Sequence, residues 1–240
     1  MSITVSQLYI YPIKSLGAVA LDTIQLASGG PAWDRRWMIV DAQGRFVTQR
    51  EFPKLALVDV ALDATAATMR LTAPDTAELE LPLVATNEWS QQVFVWNEAV
   101  SAVYGGEQAE RWISAYLGSP AHLVYMPDTA LRTADQDFAH PEDVVSFADA
   151  FPLLLIGEAS LQDFNGHLQQ PIEMLRFRPN IVIAGADPYA EDSWHRLQIG
   201  EVDYRVVKAC ARCVIPSINR ASAQKEPQVS HALAQHRRGR

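Results

Sequence analysis

Asp34-Arg35-Arg36-Trp37-Met38-Ile39-Val40-Asp41-Ala42-Gln43-Gly44 sets the architecture of the first half of the chain. Trp37–Val40 is a short apolar run entered from charged residues and left through the turn-forming stretch Asp41 to Gly44. The same unit recurs on both sides of it. Leu8/Ile10, Leu55/Leu57 and Val93/Val95, with their neighbours, alternate or form short β-branched runs. Gly29-Gly30-Pro31, Pro74-Asp75 and Asn97-Glu98 supply the turns between them. No helical period persists beyond about two turns here, so the pattern predicts an all-β barrel or sandwich.

Helical spacing enters at Glu107–Leu117, where Ala109, Trp112, Ile113, Tyr116 and Leu117 share a face and Gly118 stands where a C-terminal cap belongs. Residues 127–147 are polar and predict a long exposed loop, a kind of segment that often serves as a lid. From Pro152 the pattern alternates. A buried strand is expected over Leu153–Ile156, a helix over Glu158–Leu168 and a strand over Ile181–Ile183. Two more strands follow over Leu197–Val207 around Gly200, then an extended Val214–Ile218 and a short helix Val229–Arg237 with a basic end. There are no repeats and no low-complexity segment. A boundary near residue 120 divides the chain into 1–120 and 121–240, and the fold class is mixed, mainly β.

Composition narrows the function. The chain has 240 residues, 48% of them hydrophobic and 20% charged, enough to bury a sizeable core. Its net charge of −8 repels polyanions, and no basic stretch carries interleaved aromatics, so nucleic acid is not an expected partner. The longest apolar run, Leu153–Ile156, is far short of the roughly 20 residues that cross a bilayer, and no membrane role is expected. Met1–Val5 has neither a basic nor an apolar leader region, and the two cysteines make no disulfide framework; a cytoplasmic location is the simplest expectation.

Both cysteines sit in Cys210-Ala211-Arg212-Cys213. No second such pair or paired histidines exist to complete a zinc site, and the strand-like flanks Tyr204–Lys208 and Val214–Ile218 argue against a thioredoxin-type pair at a helix start. Two packed structural thiols remain an alternative. Lys208 and Arg212 favour thiolate at the pair, and a thiolate suits a soft transition metal. Arg176-Phe177-Arg178-Pro179-Asn180 offers two guanidinium forks for phosphate or carboxylate, or else a solvated strand end. Tyr11-Pro12-Ile13-Lys14-Ser15 leaves a lysine and a hydroxyl at a strand mouth, and Asp34-Arg35-Arg36-Trp37 is either a further cationic site or a surface ion pair.

In order, these stretches resemble the MOSC family, in particular the members with an N-terminal β-barrel subdomain that include the amidoxime-reducing components and their bacterial relatives. The resemblance is carried by YPIKSL (11–16), DRRWMIVD (34–41), TQRE (48–51) with Pro53 and Leu55-Ala56, and WISAYLG (112–118). It continues through FADAFPLLLIGEASL (147–161), RFRPNIVI (176–183), AEDSWHRLQIG (190–200) and KACARCVIP (208–216), nearly the whole chain. It implies a β-barrel-like subdomain followed by a MOSC β-barrel with a few peripheral helices. It also implies a molybdenum–molybdopterin cofactor, with Cys213 as metal ligand and catalytic centre. Lys14, Ser15, Arg35 and Arg178 fall at positions that grip the cofactor's phosphate and pterin. Asp149 with the backbone after it, Asn180, Cys210 and Arg212 are implied as further pocket wall. Trp194 is expected to pack the fold, and His195 to lie at the surface. At the level of the wider family, pyridoxal phosphate binding is also implied.

Members of this type reduce N-hydroxylated substrates such as hydroxylamines and amidoximes. Two cysteines fall short of the four that usually hold a [2Fe–2S] cluster, so a separate ferredoxin- or flavin-type reductase is the implied electron donor. The resemblance also implies further segments after the basic stretch Ala232–Arg240, including an FGxN-like stretch and a GD-containing strand, without which a barrel edge is expected to stay unpaired. A cofactor or sulfur carrier without turnover, or a folded but empty form, are the alternatives to an enzyme.

Overall fold

The computed structural model describes residues 2–237; Arg238, Gly239 and Arg240 of the basic end lie outside the described residues. Among the described residues the chain is mainly β, as expected, with three α-helices. The first half contains β1 (Thr4–Ile10), β2 (Val19–Leu21), β3 (Leu26–Ala27), β4 (Gly30–Pro31) and β5 (Trp37–Asp41). It continues with β6 (Asp59–Asp63), β7 (Thr68–Thr72), β8 (Leu79–Pro82), β9 (Ser90–Val95), β10 (Glu98–Tyr104), α1 (Glu107–Leu117) and β11 (Ala121–Tyr125). After a long connection come β12 (Leu155–Gly157), α2 (Glu158–Asn165), β13 (Ile181–Ala184), β14 (Arg196–Ile199), β15 (Val202–Arg205) and α3 (Pro227–His236).

Strand β5 is buried along Trp37–Val40 because it is covered on both faces. Successive side chains point to opposite sides, so Trp37 and Ile39 enter one core while Met38 and Val40 enter another. The first core lies between β5, the three-stranded sheet β6-β7-β8 and α1. Its contributors alternate along the strands as Val60, Met69, Leu71, Leu79 and Leu81, and recur on the helix as Ala109, Ile113 and Leu117. Helix α1 begins with Glu107 and Glu110 in its first turn, where acids oppose the positive end of the dipole, and stops at Gly118, whose left-handed φ of 67° few other residues accept.

The second core covers one face of the sheet ordered β5-β11-β10-β9. The segment after β5 joins the two edges of that sheet: Val47 donates to Ile39 on one side, while Phe46 donates to Phe94 and Phe94 donates to Gly44 on the other. Strand β1 leaves this half and pairs antiparallel with β13, in a sheet ordered β12-β13-β1-β2. Residues near the start of the chain therefore stand beside residues near 180. A third core, Phe164, Ile172, Phe177, Val229 and Ala232, packs α2 against α3.

Four local expectations are corrected. The segment 127–147 has no regular strand but is not an exposed loop throughout: Val145–Phe147 are buried, Phe147 fills the second core and Arg132 is only 6% exposed. Val214–Ile218 is not extended; Ile215–Ser217 forms a 3-10 turn, with Pro216 lacking a donor for strand pairing and Ser217 Oγ donating to Val214 O at 2.5 Å. The strand expected to be buried over Leu153–Ile156 is β12, half-buried, because it has a neighbour only in β13. Helix α2 ends at Asn165, whose side chain turns aside to accept from Ile172 N and donate to Ile172 O.

Candidate cofactor site

Pro12 stops β1, and the chain from Tyr11 runs alongside Arg35–Trp37. Arg35 N donates to Tyr11 O, Trp37 N to Pro12 O, and Lys14 N to Trp37 O at 2.8 Å. Ser15 then takes a left-handed conformation (φ 72°), as do Arg35 (φ 46°) and Arg178 (φ 56°). Each costs about 1–2 kcal/mol for a residue with a side chain, so strain is concentrated on the three segments that meet here.

Asp34 is the hub. It is 2% exposed, and the surface ion-pair alternative is thereby excluded. Its carboxylate accepts from Tyr11 N at 2.8 Å, Arg35 Nη1 at 2.5 Å and Asn180 Nδ2 at 3.1 Å. Burial pushes the carboxyl above its ordinary pKa, against the opposing pull of Arg35 and the hydrogen bonds. Asn180 Oδ1 accepts from Arg35 Nη1 at 2.9 Å, and Asn180 Nδ2 also donates to Tyr9 O, so this buried amide ties β1 to the start of β13. Arg35 and Arg178 lie on the Tyr11 ring, 4.4 and 4.1 Å from its centroid. Arg178 Nη1 donates to Leu16 O at 2.7 Å, but its Nη2 is buried without a partner. Burial draws the Arg178 pKa down to about 10, which leaves it charged near neutrality, and pushes the Tyr11 phenol up to about 12.

Lys14 lies at the other end of the cradle. Its ammonium donates to Asp149 Oδ1 at 2.6 Å and to Phe147 O at 2.7 Å. Burial lowers its pKa to about 8, opposed by Asp149. For Asp149, burial acts to raise the pKa, but the combined pull of Lys14, Arg50 and Arg35 wins and holds it below the ordinary value. Phe147 N donates to Arg35 O and closes the link between the two ends.

The structure therefore brings Lys14, Arg35, Asp149, Arg178 and Asn180 together. Ser15 contributes through its backbone, its carbonyl accepting from the buried Gln49 side chain at 2.7 Å. Arg212 joins from outside: Nη2 donates to Phe177 O at 2.6 Å, next to Arg178, and Nη1 meets Cys210 Sγ at 3.0 Å. The Cys210–Cys213 segment is thereby moored beside the cradle, with both thiols free and exposed. Lys208 does not face the thiols; it is 3.5 Å from Asp135 and lies over the Phe138 ring. Arg176 is not a second free fork either, since Glu226 takes it at 2.5 Å. His195 is exposed and Trp194 half-buried.

Sequence reading missed Arg132, and placed Asp34 and Tyr11 only within short motifs. Asp34 offered a signal in its position beside Arg35. Arg132 offered none, being one cation in a polar stretch.

Residues 2–120 match the family model of the MOSC N-terminal beta barrel domain, and residues 142–240 match that of the MOSC domain. Over 236 residues the chain is 35% identical to mitochondrial amidoxime-reducing component 1 of Homo sapiens, an alignment covering 93% of this chain and 69% of that protein. The chain belongs to the MOSC family. The Mus musculus amidoxime-reducing component 1 is likewise 35% identical, covering 93% of this MOSC chain and 69% of its own length. Molybdenum cofactor sulfurase of Oryza sativa subsp. japonica is 28% identical, covering 99% of this chain and 31% of its own length. Among the described residues, no helix of this MOSC protein is long and apolar enough to cross a membrane.

The donor set fits an anionic, metal-bearing cofactor. Lys14 and Arg35 each pair with one carboxylate, Asp149 and Asp34, whereas Arg178 has none among the described residues. Arg178 Nη2 and Arg212 Nε are buried without partners, as are Arg176 Nε and Arg237 Nη1 outside the cradle; at the cradle such donors suit an anion. A free, exposed thiol at Cys213, next in sequence to Arg212, suits a soft metal.

Proposed function

We propose that this MOSC protein binds a molybdenum–molybdopterin cofactor and reduces N-hydroxylated compounds, hydroxylamines and amidoximes, with electrons from an external donor. The names of its relatives, amidoxime-reducing component and molybdenum cofactor sulfurase, support a function connected with that cofactor. The observation that carries the reading is Arg178, stacked on Tyr11 without a carboxylate partner among the described residues and with its buried Nη2 unpartnered.

In this reading Arg178, Arg35 and Lys14 hold the phosphate and pterin, with Ser15, Asn180, Asp149, Arg212 and Cys210 shaping the wall. Cys213 is the thiolate ligand. The bound cofactor supplies the two-electron chemistry by which the N–OH oxygen leaves as water. The protein's own part is to fix the anion by charge-assisted hydrogen bonds and to leave the thiol side open to substrate. A ferredoxin- or flavin-type reductase is the proposed donor, and two free thiols suit a reducing compartment such as the cytoplasm.

A second reading, delivery of cofactor or sulfur without turnover, is favoured by the exposure of both thiols and by the likeness to the sulfurase. Turnover separates the two. Protein from a cofactor-competent host, supplied with chemically reduced viologen, is expected to convert benzamidoxime to benzamidine. A loaded protein that converts neither an amidoxime nor a hydroxylamine, but passes cofactor to an apo-acceptor, overturns the enzyme reading in favour of the carrier.

A further inference from the structure

Arg132 comes from the polar segment 127–147, yet it is 6% exposed and each of its three guanidinium nitrogens has a partner. Nε meets Glu98 Oε2 at 2.5 Å, which anchors it to the start of β10. Nη1 donates to the carbonyls of Ser146 at 3.1 Å and Ala148 at 2.5 Å, and Nη2 donates to Asp149 O at 2.7 Å. Between them, Lys14 Nζ takes Phe147 O at 2.7 Å. Four successive carbonyls, 146 to 149, are thus gathered onto two buried cations.

A trans peptide unit holds its N–H opposite its C=O. With Ala148 O and Asp149 O turned to Arg132, the N–H groups of Asp149 and Ala150 face away from it. Among the described residues neither has an intramolecular hydrogen-bond partner. The Asp149 side chain, which holds Lys14, projects from the same short stretch.

Resting on the cofactor reading above, we infer that Arg132 is a positioning residue: by clasping the carbonyls of 146, 148 and 149 it aims Lys14, Asp149 and the two free N–H groups at the anionic cofactor. It does not touch the cofactor itself. A lysine cannot replace it, because a single ammonium lacks the planar fork that spans three carbonyls.

The test uses the full chain purified from a cofactor-competent host, unmutated and as Arg132→Met, Arg132→Lys and Leu71→Ala. Leu71 is buried in the first core and supplies a destabilised control with the cradle intact. Pterin per folded protein is measured by fluorescence after oxidation, beside the melting temperature of the same samples. Both Arg132 variants are expected to retain pterin about 10–100-fold less firmly, the usual cost of removing an outer partner of a ligand-holding group, while Leu71→Ala stays loaded despite a lower melting point. Amide resonances of Asp149 and Ala150 are expected to shift on loading in the unmutated protein.

A folded Arg132→Lys that holds pterin as firmly as the unmutated chain overturns the inference, and decides the matter if Arg132→Met does not fold. Equal losses in Leu71→Ala at matched melting point also overturn it, as do amides that do not move on loading. An unmutated chain without pterin overturns the cofactor reading itself and this inference with it.

Discussion

The guanidinium of Arg178 lies 4.1 Å from the centroid of the Tyr11 ring and keeps one buried nitrogen, Nη2, without a hydrogen-bond partner. A buried donor left unsatisfied is costly, and the stacked ring holds it in place where an anion can relieve that cost. Arg178→Met keeps the stem against Tyr11 but removes the donors. It is expected to weaken cofactor retention by about 1.5–3 kcal/mol, the range for a hydrogen bond to a charged group. Unchanged pterin and molybdenum content after prolonged dialysis of that variant counts against Arg178 as a phosphate donor.

Asp34 carries the opposite stability risk. Its side chain and that of Arg35 are 1% and 12% exposed, and removal of one partner leaves the other charged and buried. Asp34→Ala is expected to destabilise the fold by about 3–5 kcal/mol, read from urea unfolding. A loss under about 1 kcal/mol would place the pair among the weakly contributing surface bridges.

Lys14 gives the site a pH dependence. Burial lowers its pKa from 10.5 to about 8 in the folded protein, so between those values the unfolded chain holds the proton more tightly and Lys14's contribution to stability rises with pH. Its grip on an anion has the opposite slope, because the ammonium is lost as pH rises through about 8. Cofactor retention is expected to fall between about pH 7 and about pH 9.5, and Lys14→Arg, which stays charged, to move that fall upward. A retention profile that is flat over this range removes Lys14 from the anion's partners.

Gly17 closes the turn that presents Lys14. A Cβ there would meet Val58 O at 2.8 Å, on the same backbone oxygen to which Gly17 N donates. Gly17→Ala is expected to lower stability by about 1–3 kcal/mol through this overpacking. A melting temperature equal to that of the unmutated protein contradicts the close approach.

Parts of this arrangement were legible in the sequence because they depend on local periodicity. Ala109, Ile113 and Leu117 fall at helical spacing and Gly118 ends the helix, as observed. The hairpin Arg196–Arg205 forms around Gly200, as its pattern implied. The burial of Asp34 was not legible, since Asp34-Arg35-Arg36 has the composition of a surface and its amide partner Asn180 lies 146 residues away. Arg132 was hidden for the same reason: its one carboxylate partner, Glu98, lies 34 residues away, and its other acceptors are backbone carbonyls, which leave no mark on residue type. Arg176 and Arg178 look alike in sequence. Glu226 takes the first, whereas the second has no carboxylate partner among the described residues and its backbone is left-handed.

Under the proposed function, Cys213 is the residue through which this chain would hold a metal. Molybdenum and pterin content, measured on protein from a cofactor-competent host with Cys213→Ala and Cys210→Ala beside it, decides whether it does. Near-stoichiometric molybdenum is predicted in the unmutated protein and in Cys210→Ala, whose sulfur already has Arg212 as a neighbour, with the metal lost in Cys213→Ala. An unmutated chain with neither metal nor pterin, or a Cys213→Ala variant that keeps its molybdenum, contradicts it.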